Sequence, residues 1–211
     1  RAVQAAVKAK VINNGQSCIA AKRFIVAEAI YERFVQAFVA GMRELRVGDP
    51  KDEGTDVGPL ATRQIRDAVA QQVVEILRTG ARLQLGGTTA DGSSNFYMPT
   101  VLSDVSSDSS ASREEIFGPV ALVFRANDAA HALKLANDTP YGLAASVWTT
   151  EPREVSEFER ELAVGSVFIN SMVVSDARFP FGGVKQSGYG RELGHWGLRE
   201  FMNVKTVRRF S

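Results

Sequence analysis

Cysteine is almost absent from this chain of 211 residues, which contains Cys18 alone. A single cysteine excludes an internal disulfide, and a free thiol fits a reducing compartment, so we expect a cytoplasmic protein. The 25 lysine and arginine residues nearly balance the 24 aspartate and glutamate residues, for a formal net charge of +1. This balance gives no reason to expect a nucleic-acid partner. A small basic excess at Lys205, Arg208 and Arg209 is explained by a solvated strand edge.

Long apolar runs and targeting signals are also missing. No stretch approaches the roughly 20 apolar residues that a membrane-spanning helix requires, so we expect no membrane partner. The N-terminus lacks the charged-then-apolar pattern of a signal peptide. The chain opens without an initiator Met and inside a helical pattern. Such a start is typical of a truncated chain, although a processed mature protein could begin the same way.

Common cofactor and metal motifs are absent as well. The sequence has no GxGxxG after a strand, no P-loop and no zinc pattern. His131 and His195 lie far from Cys18 in sequence and lack metal-ligand spacing, so we interpret both as structural or surface groups and expect no metal. A hydrolase that pairs a cysteine with a histidine stays open, because such partners meet only in space.

Helix-like and strand-like segments alternate along the chain. Hydrophobic residues make up 45% of the sequence, enough for the core of one globular domain. Apolar residues at helical spacing, together with stop signals, predict helices at 1–11, 30–45, 62–78, 128–137 and 152–162. Short apolar runs predict strands at 24–26, 82–85, 96–102, 120–124, 144–148 and 167–169. This alternation predicts an α/β fold with a mostly parallel sheet.

Two segments near the C-terminus have a different character. Residues 179–191 read FPFGGVKQSGYGR, with four glycines in thirteen residues. Such a segment suits a place where the backbone closely approaches a ligand or another segment. The last apolar run, 204–210, alternates in part and predicts an edge strand, which at a terminus invites pairing with another subunit.

Cys18 follows a glycine turn in the stretch NGQSC at 14–18. A lone cysteine is commonly a small core residue, and that interpretation stays open at this point. The glycine-rich, polar approach favours a presented nucleophile, with a backbone N–H near the turn able to hold an oxyanion. Lowering the pKa of a thiol requires a helix N-terminus or a nearby cation. Lys22 and Arg23 are close in sequence, but at the start of a strand their side chains can point elsewhere.

Glu115 lies in the stretch EEIFGPV at 114–120, where two acids precede an aromatic residue, a glycine and a proline. One interpretation is a solvated turn that leads into the buried strand. The other is a carboxylate that hydrogen-bonds a sugar diol, as acidic residues hold ribose in dinucleotide sites. The residues by themselves leave both interpretations open.

Four motifs occur together in one order: NNGQSC at 13–18, EEIFGPV at 114–120, NDTPYGLAASVWT at 137–149 and PFGGVKQSGYGRE at 180–192. In this combination they resemble the aldehyde dehydrogenase superfamily. The resemblance covers essentially all of this chain but only the later part of a family member. It implies a truncated catalytic domain at 1–190 and a C-terminal helix with an oligomerisation strand at 191–211. The NAD(P)-binding domain would lie outside the chain.

The resemblance implies roles for individual residues. Cys18 matches the catalytic nucleophile, which forms a thiohemiacetal with an aldehyde and then a thioester that water hydrolyses to the acid. Glu115 and Phe117 match contacts to the nicotinamide-side ribose of NAD or NADP. Asn170 and Phe181 match positions near the aldehyde pocket.

The segment NSMVVSDARFPFGG at 170–183 is most similar to the substrate loop of succinate-semialdehyde dehydrogenases. Ser175 matches the serine that binds the far carboxylate of the substrate. Several members carry an arginine six residues before the cysteine, where this chain has Ile12. Arg178, or an arginine outside the chain, would have to serve instead. The resemblance therefore implies succinic semialdehyde as substrate, with a phosphorylated or aliphatic aldehyde as the alternative.

Completeness is a further departure from the family pattern. By the resemblance, the general-base glutamate and the asparagine that completes the oxyanion hole precede this segment. Catalysis requires such groups to be positioned together. We therefore expect an oxidoreductase that is a homo-oligomer at full length, and a non-catalytic folded module when these residues stand alone. Some relatives carry a second cysteine two residues after the nucleophile, and because this chain has Ala20 there, that redox disulfide is excluded.

Overall fold

The computed structural model describes residues 1–90, 94–109 and 113–210. Its helices are α1 (Ala2–Val11), α2 (Tyr31–Arg43), α3 (Arg63–Arg78), α4 (Ala129–Asn137), α5 (Pro152–Glu161) and α6 (Gly194–Glu200). Its strands are β1 (Arg23–Ala27), β2 (Arg82–Leu85), β3 (Thr100–Ser103), β4 (Val120–Ala126), β5 (Tyr141–Gly142), β6 (Ala144–Val147), β7 (Ser166–Ile169) and β8 (Val184–Lys185). The five predicted helices are confirmed to within two residues at each end. Within the described ranges, no helix is long and apolar enough to cross a membrane.

The main sheet has four strands in the order β1-β4-β3-β2. Strand β4 pairs in parallel with both β1 and β3, and β2 pairs antiparallel with β3 at one edge. Two smaller sheets follow along the chain, in which β6 pairs in parallel with β7 and β5 pairs antiparallel with β8. The predicted α/β fold with a mostly parallel sheet is thus confirmed.

Helices cover both faces of the main sheet, and this explains why β4 is apolar along its length. Side chains of a strand point alternately to the two faces of its sheet. Leu122 and Phe124 pack into the core that α3 and α4 share with one face. Ala121 and Val123 pack into the core that α1 and α2 share with the other. A strand buried on both faces requires a continuous apolar run.

The predicted strand at 96–102 is shorter in the structure, where β3 begins at Thr100. Pro99 precedes it, and a proline has no N–H to donate to a neighbouring strand. The apolar run therefore extends further than the strand, because its N-terminal part contains a residue without a donor.

The predicted edge strand at 204–210 is not formed in the structure. Val204 is 100% exposed and Phe210 is 80% exposed. A strand exists only where a second strand exchanges hydrogen bonds with it, and no described segment pairs with this one. Its pairing with another subunit, and the division of the chain into 1–190 and 191–211, remain predictions.

The glycine-rich segment at 179–191 closely approaches another part of the chain. A Cβ atom placed on Gly165 would lie 1.7 Å from the carbonyl oxygen of Gly182. Phe181 and Glu192 exchange backbone hydrogen bonds of 2.8 and 2.7 Å within the same region. Close backbone approach is therefore one reason why glycine is needed here.

Candidate active site

The Cys18 side chain is exposed, in the turn that connects α1 to β1. After α1 a short 3₁₀ helix spans Ile12–Gly15, and inside it Asn13 and Asn14 have φ angles of +47° and +57°. Asparagine adopts this left-handed region more readily than most residues. The Gln16 N–H then donates to the Asn13 carbonyl at 2.8 Å, which tightens the turn. Because the thiol faces solvent, the interpretation of Cys18 as a small core residue is wrong.

Two amide side chains fasten this turn to the neighbouring loop. The Asn14 Oδ1 accepts from the Gly58 N–H at 2.8 Å, and its Nδ2 donates to the Pro59 carbonyl at 3.2 Å. The Gln16 Oε1 accepts from the Ala61 N–H at 2.9 Å. The polar residues that precede Cys18 therefore fix the position of its backbone.

Gly15 brings the Cys18 turn against the EEIFGPV segment. A Cβ atom on Gly15 would lie only 2.1 Å from the Gly118 carbonyl oxygen, so the two backbones are in close contact. The structure thereby joins two motifs that lie about a hundred residues apart in the sequence. This contact places Glu115 and Phe117 in the neighbourhood of Cys18.

Lys22 connects the two motifs through its side chain. Its Nζ donates to the Ser17 carbonyl, lies 3.1 Å from the Glu115 Oε1 and lies 5.4 Å from the centroid of the Phe117 ring. Burial lowers the pKa of Lys22, while the charges of Glu115 and Cys18 raise it in part. Sequence reasoning left the direction of Lys22 open, and the structure turns it towards the Cys18 turn.

Lys10, on α1, is a charged residue that sequence reasoning did not single out. Its side chain is completely buried, and its Nζ has no hydrogen-bond partner among the described residues. Burial, and then the nearby charge of Lys22, lower the pKa of Lys10 well below its usual value, and Glu115 opposes this shift. Helical spacing alone could have flagged it, since Lys10 follows Ala6 and Val7 on the face that includes Val3.

The Cys18 backbone N–H donates no hydrogen bond within the part of the chain that the structure describes. An exposed thiol beside a free N–H is the arrangement that an oxyanion on the attacked carbon requires. Glu115 and Phe117 are also reachable from solvent, with 40% of the Glu115 side chain and 36% of Phe117 exposed. A carboxylate and an aromatic ring in the segment that packs against the Cys18 turn are therefore partly exposed to solvent.

The segment that contains the other predicted site residues is separate. No hydrogen bond or ion pair in the described ranges joins residues 170–181 to residues 13–22. Asn170 uses its amide on the backbone of Thr149, accepting from the N–H at 3.1 Å and donating to the carbonyl at 2.8 Å. Phe181 is half-buried. The structure gives Asn170 a structural contact at the end of β7.

Ser175 and Arg178 lie in one exposed loop, as the sequence predicts. Arg178 is paired with Asp176, whose Oδ2 lies 2.6 Å from its Nη2 and whose Oδ1 lies 2.9 Å from its Nε. The hydrogen bonds from Arg178 lower the pKa of the Asp176 carboxyl to about 2. Arg178 therefore already has a carboxylate partner within the chain.

Both histidines have local structural contacts. The His131 Nδ1 accepts from the Asn127 N–H at 3.2 Å, and the His195 ring lies 5.1 Å from the Trp196 ring. In the described ranges no group of three or more His, Cys, Asp or Glu residues could hold a metal ion.

Comparisons of this chain with known proteins identify its family. The family model described as the aldehyde dehydrogenase family matches residues 1–207. An NADP(+) succinate-semialdehyde dehydrogenase of Mycobacterium bovis is 54% identical over 206 residues, which are 98% of this chain and 45% of that protein. The chain therefore spans about half the length of the curated relatives it matches.

Solved structures agree in fold. A succinate-semialdehyde dehydrogenase from Burkholderia pseudomallei superposes with a TM-score of 0.91 at 38% identity, covering 95% of this chain and 42% of that one. A betaine aldehyde dehydrogenase from Staphylococcus aureus, in complex with NAD+, gives a TM-score of 0.90 at 32% identity, covering 95% and 40%. Since the family match runs through nearly the whole sequence and includes both joined motifs, this chain belongs to the aldehyde dehydrogenase family.

Proposed function

We propose that the protein containing this chain oxidises an aldehyde to the carboxylic acid with NADP or NAD, and that its substrate is succinic semialdehyde. The observation that carries this proposal is the exposed Cys18 thiol in the turn that packs against the Glu115 motif, together with a Cys18 N–H that donates no hydrogen bond to any described residue. Membership of the aldehyde dehydrogenase family supports the same chemistry.

Cys18 is the nucleophile in this proposal. Its thiolate adds to the aldehyde carbon, a sulfur–carbon bond forms, and the electron pair of the carbonyl moves to the oxygen. The Cys18 N–H donates to that oxyanion. When bound, NADP or NAD supplies the hydride acceptor. Cys18 then holds the acyl group as a thioester, and water releases the acid and restores the thiol.

Glu115 and Phe117 are the cofactor contacts in this proposal. The partly exposed Glu115 carboxylate can accept hydrogen bonds from a sugar diol, and the partly exposed Phe117 ring lies near the same Lys22 ammonium. Both neighbour Lys22, so the place where the cofactor is held adjoins the nucleophile.

The substrate assignment rests on the 170–183 segment and on the relatives. Ser175 is exposed, so its hydroxyl is accessible to the far carboxylate of succinic semialdehyde. Arg178 can assist only by releasing Asp176. Two of the compared proteins are named succinate-semialdehyde dehydrogenases, whereas the betaine aldehyde dehydrogenase keeps another aldehyde as the alternative.

These 211 residues by themselves form, in our proposal, a non-catalytic module, because the general base and the remaining oxyanion donor are supplied from outside them. We also propose that the complete protein is a homo-oligomer. Aldehyde-dependent cofactor reduction by the purified 211-residue chain would contradict the first of these statements.

A substrate panel on the intact gene product tests the proposal. We expect reduced NADP or NAD to form with succinic semialdehyde, with a kcat/KM above that for betaine aldehyde or an uncharged aliphatic aldehyde of similar length. Ser175→Ala should lower kcat/KM for succinic semialdehyde by about tenfold, the value of a hydrogen bond to a charged group, and leave the aliphatic aldehyde unchanged. A preference for another aldehyde supports the alternative substrate, and no turnover with any aldehyde contradicts the enzyme assignment.

A further inference from the structure

A single ammonium group connects the Cys18 turn to the Glu115 carboxylate. The Lys22 Nζ donates to the Ser17 carbonyl, one residue before Cys18, and lies 3.1 Å from the Glu115 Oε1. Only 16% of the Lys22 side chain is exposed, and its Nζ also lies near the Phe117 ring. The general cysteine chemistry described above assigns no task to this lysine.

Charged groups from three directions face Lys22. Glu115 comes from the segment before β4, Cys18 from the turn after α1, and Lys10 from α1 itself. Burial of an ammonium is costly unless acceptors compensate for it. Here the Ser17 carbonyl and the Glu115 carboxylate supply that compensation.

We propose that Lys22 is a positioning residue that couples the nucleophile to the cofactor carboxylate, by holding the Ser17 carbonyl and Glu115 together. This inference rests on the proposed function for the roles of Cys18 and Glu115. It deepens that function, since it makes the reactivity of the thiol and the affinity for the cofactor depend on one side chain.

Two substitutions separate charge from packing. Lys22→Met keeps an unbranched apolar stem but removes the ammonium, so the Ser17 carbonyl and Glu115 lose their shared donor. Lys22→Arg keeps the positive charge and donors to both acceptors. Lys8→Met is the matched control, because Lys8 is exposed on α1, which also contains the buried Lys10.

The first measurement is the rate of Cys18 alkylation by iodoacetamide as a function of pH, on the 211-residue chain. Cys18 is the single cysteine, so every label reports on it. In Lys22→Met we expect the rate at neutral pH to fall about three- to tenfold, because the Ser17 carbonyl loses the charged donor that fixes the backbone next to Cys18. Lys22→Arg and Lys8→Met should follow the wild type. A wild-type profile in Lys22→Met overturns the proposal.

The second measurement is the steady-state kinetics of the intact gene product. Lys22→Met should raise KM for the cofactor by about tenfold, the value of a charged hydrogen bond, and Lys22→Arg should restore it. A structural role alone would not be rescued by arginine in both measurements. Absence of turnover in the wild type contradicts the proposed function. The alkylation rates then still test the role of Lys22. Normal turnover with unchanged alkylation and KM in Lys22→Met overturns the Lys22 proposal alone.

Discussion

Gly15 is the residue at which the Cys18 turn leaves no room for a side chain. Its φ angle is +77°, and a Cβ atom there would lie 2.1 Å from the Gly118 carbonyl oxygen. The backbone conformation and the space therefore both require glycine. Gly80 shares the positive φ, at +99°, but a Cβ atom added to it would meet nothing within 4 Å. Alanine substitutions at these two glycines therefore distinguish the free-energy cost of a left-handed backbone from the cost of a steric contact.

Replacing Gly15 by alanine should lower the free energy of unfolding by about 2–5 kcal/mol, as the sum of a left-handed alanine and an overpacked contact. Gly80→Ala should cost only about 1–2 kcal/mol, from the conformation alone. Urea denaturation of both variants measures the difference. Equal losses of unfolding free energy in the two variants would show that a side chain at position 15 makes no unfavourable contact with Gly118.

Lys10 should make stability depend on pH. Its pKa is lowered in the folded state, first by burial and then by Lys22. Below both pKa values the buried ammonium destabilises the fold. Since the unfolded chain binds the proton more tightly, stability rises with pH between the lowered folded pKa and the unfolded value of about 10.4.

Lys10→Met removes that buried charge and should raise the free energy of unfolding by about 1–3 kcal/mol at neutral pH. The gain should shrink as the pH rises towards the unfolded pKa of lysine. Denaturation at several pH values measures it, with the exposed Lys8→Met as control. A loss of stability in Lys10→Met at neutral pH would mean that the amine has an acceptor.

At the residue scale, the sequence identifies residues whose type and immediate neighbours are unusual. A cysteine after a glycine turn and an acid before FGP stand out, and the structure brings their segments together. Sequence proximity marks Lys22 and helical spacing marks Lys10, but the surroundings of both side chains depend on tertiary packing. One contact of that packing is the hydrogen bond of 3.0 Å from the Ala21 N–H to the Ala9 carbonyl.

At the scale of elements, side chains close both ends of α4. The Asp128 Oδ1 accepts from the His131 N–H at 2.7 Å at the N-terminus. At the C-terminus, Arg23 of β1 donates to the Leu135 and Ala136 carbonyls at 2.6 and 3.3 Å. The first cap is readable from the sequence as an acid just before the helix. The second is not, because its donor lies more than a hundred residues away.

Asp128→Ala should lower the free energy of unfolding by about 1 kcal/mol, since it removes the acceptor for an unpaired helix N–H. Asp128→Asn, which keeps an oxygen at the same place, should retain nearly all of the wild-type stability. Thermal or urea unfolding of both variants checks this. A similar loss in the asparagine variant would show that charge, and not the cap, is what α4 needs.

The helices and strands that could be predicted from the sequence are those that the local pattern of apolar residues determines. Helices α1 to α4 and the long strand β4 follow from apolar spacing, because their apolar side chains must face a core. The two-residue strands β5 and β8 were missed, since so short a pair has no period of its own and exists only through its partner. Residues 204–210 have the apolar pattern of a strand but form none in the structure, because no described segment pairs with them.

At the scale of the whole molecule, the C-terminal segment presents apolar side chains to solvent. Phe201, Val204 and Phe210 are 95%, 100% and 80% exposed. Exposed apolar groups in one contiguous segment mark a surface for association. Among the described residues, the backbone of 204–210 pairs with no other segment, so its N–H and C=O groups can bond a second strand.

We therefore expect the intact gene product to associate through this segment. Light scattering should give a mass above that of one chain, and serine at all three positions should shift the distribution towards the monomer. Serine at exposed Tyr189, which lies outside the segment, is the control. A monomeric wild-type protein would contradict the proposed oligomer.

We propose that Cys18 is the nucleophile of an aldehyde-oxidising enzyme. The most direct test compares aldehyde-dependent cofactor reduction by the intact gene product and by its Cys18→Ala variant, with succinic semialdehyde as substrate. We predict turnover by the wild type and a loss of about a thousandfold or more in the variant, since the covalent step has no substitute. Turnover by Cys18→Ala within a few-fold of the wild type would contradict the account.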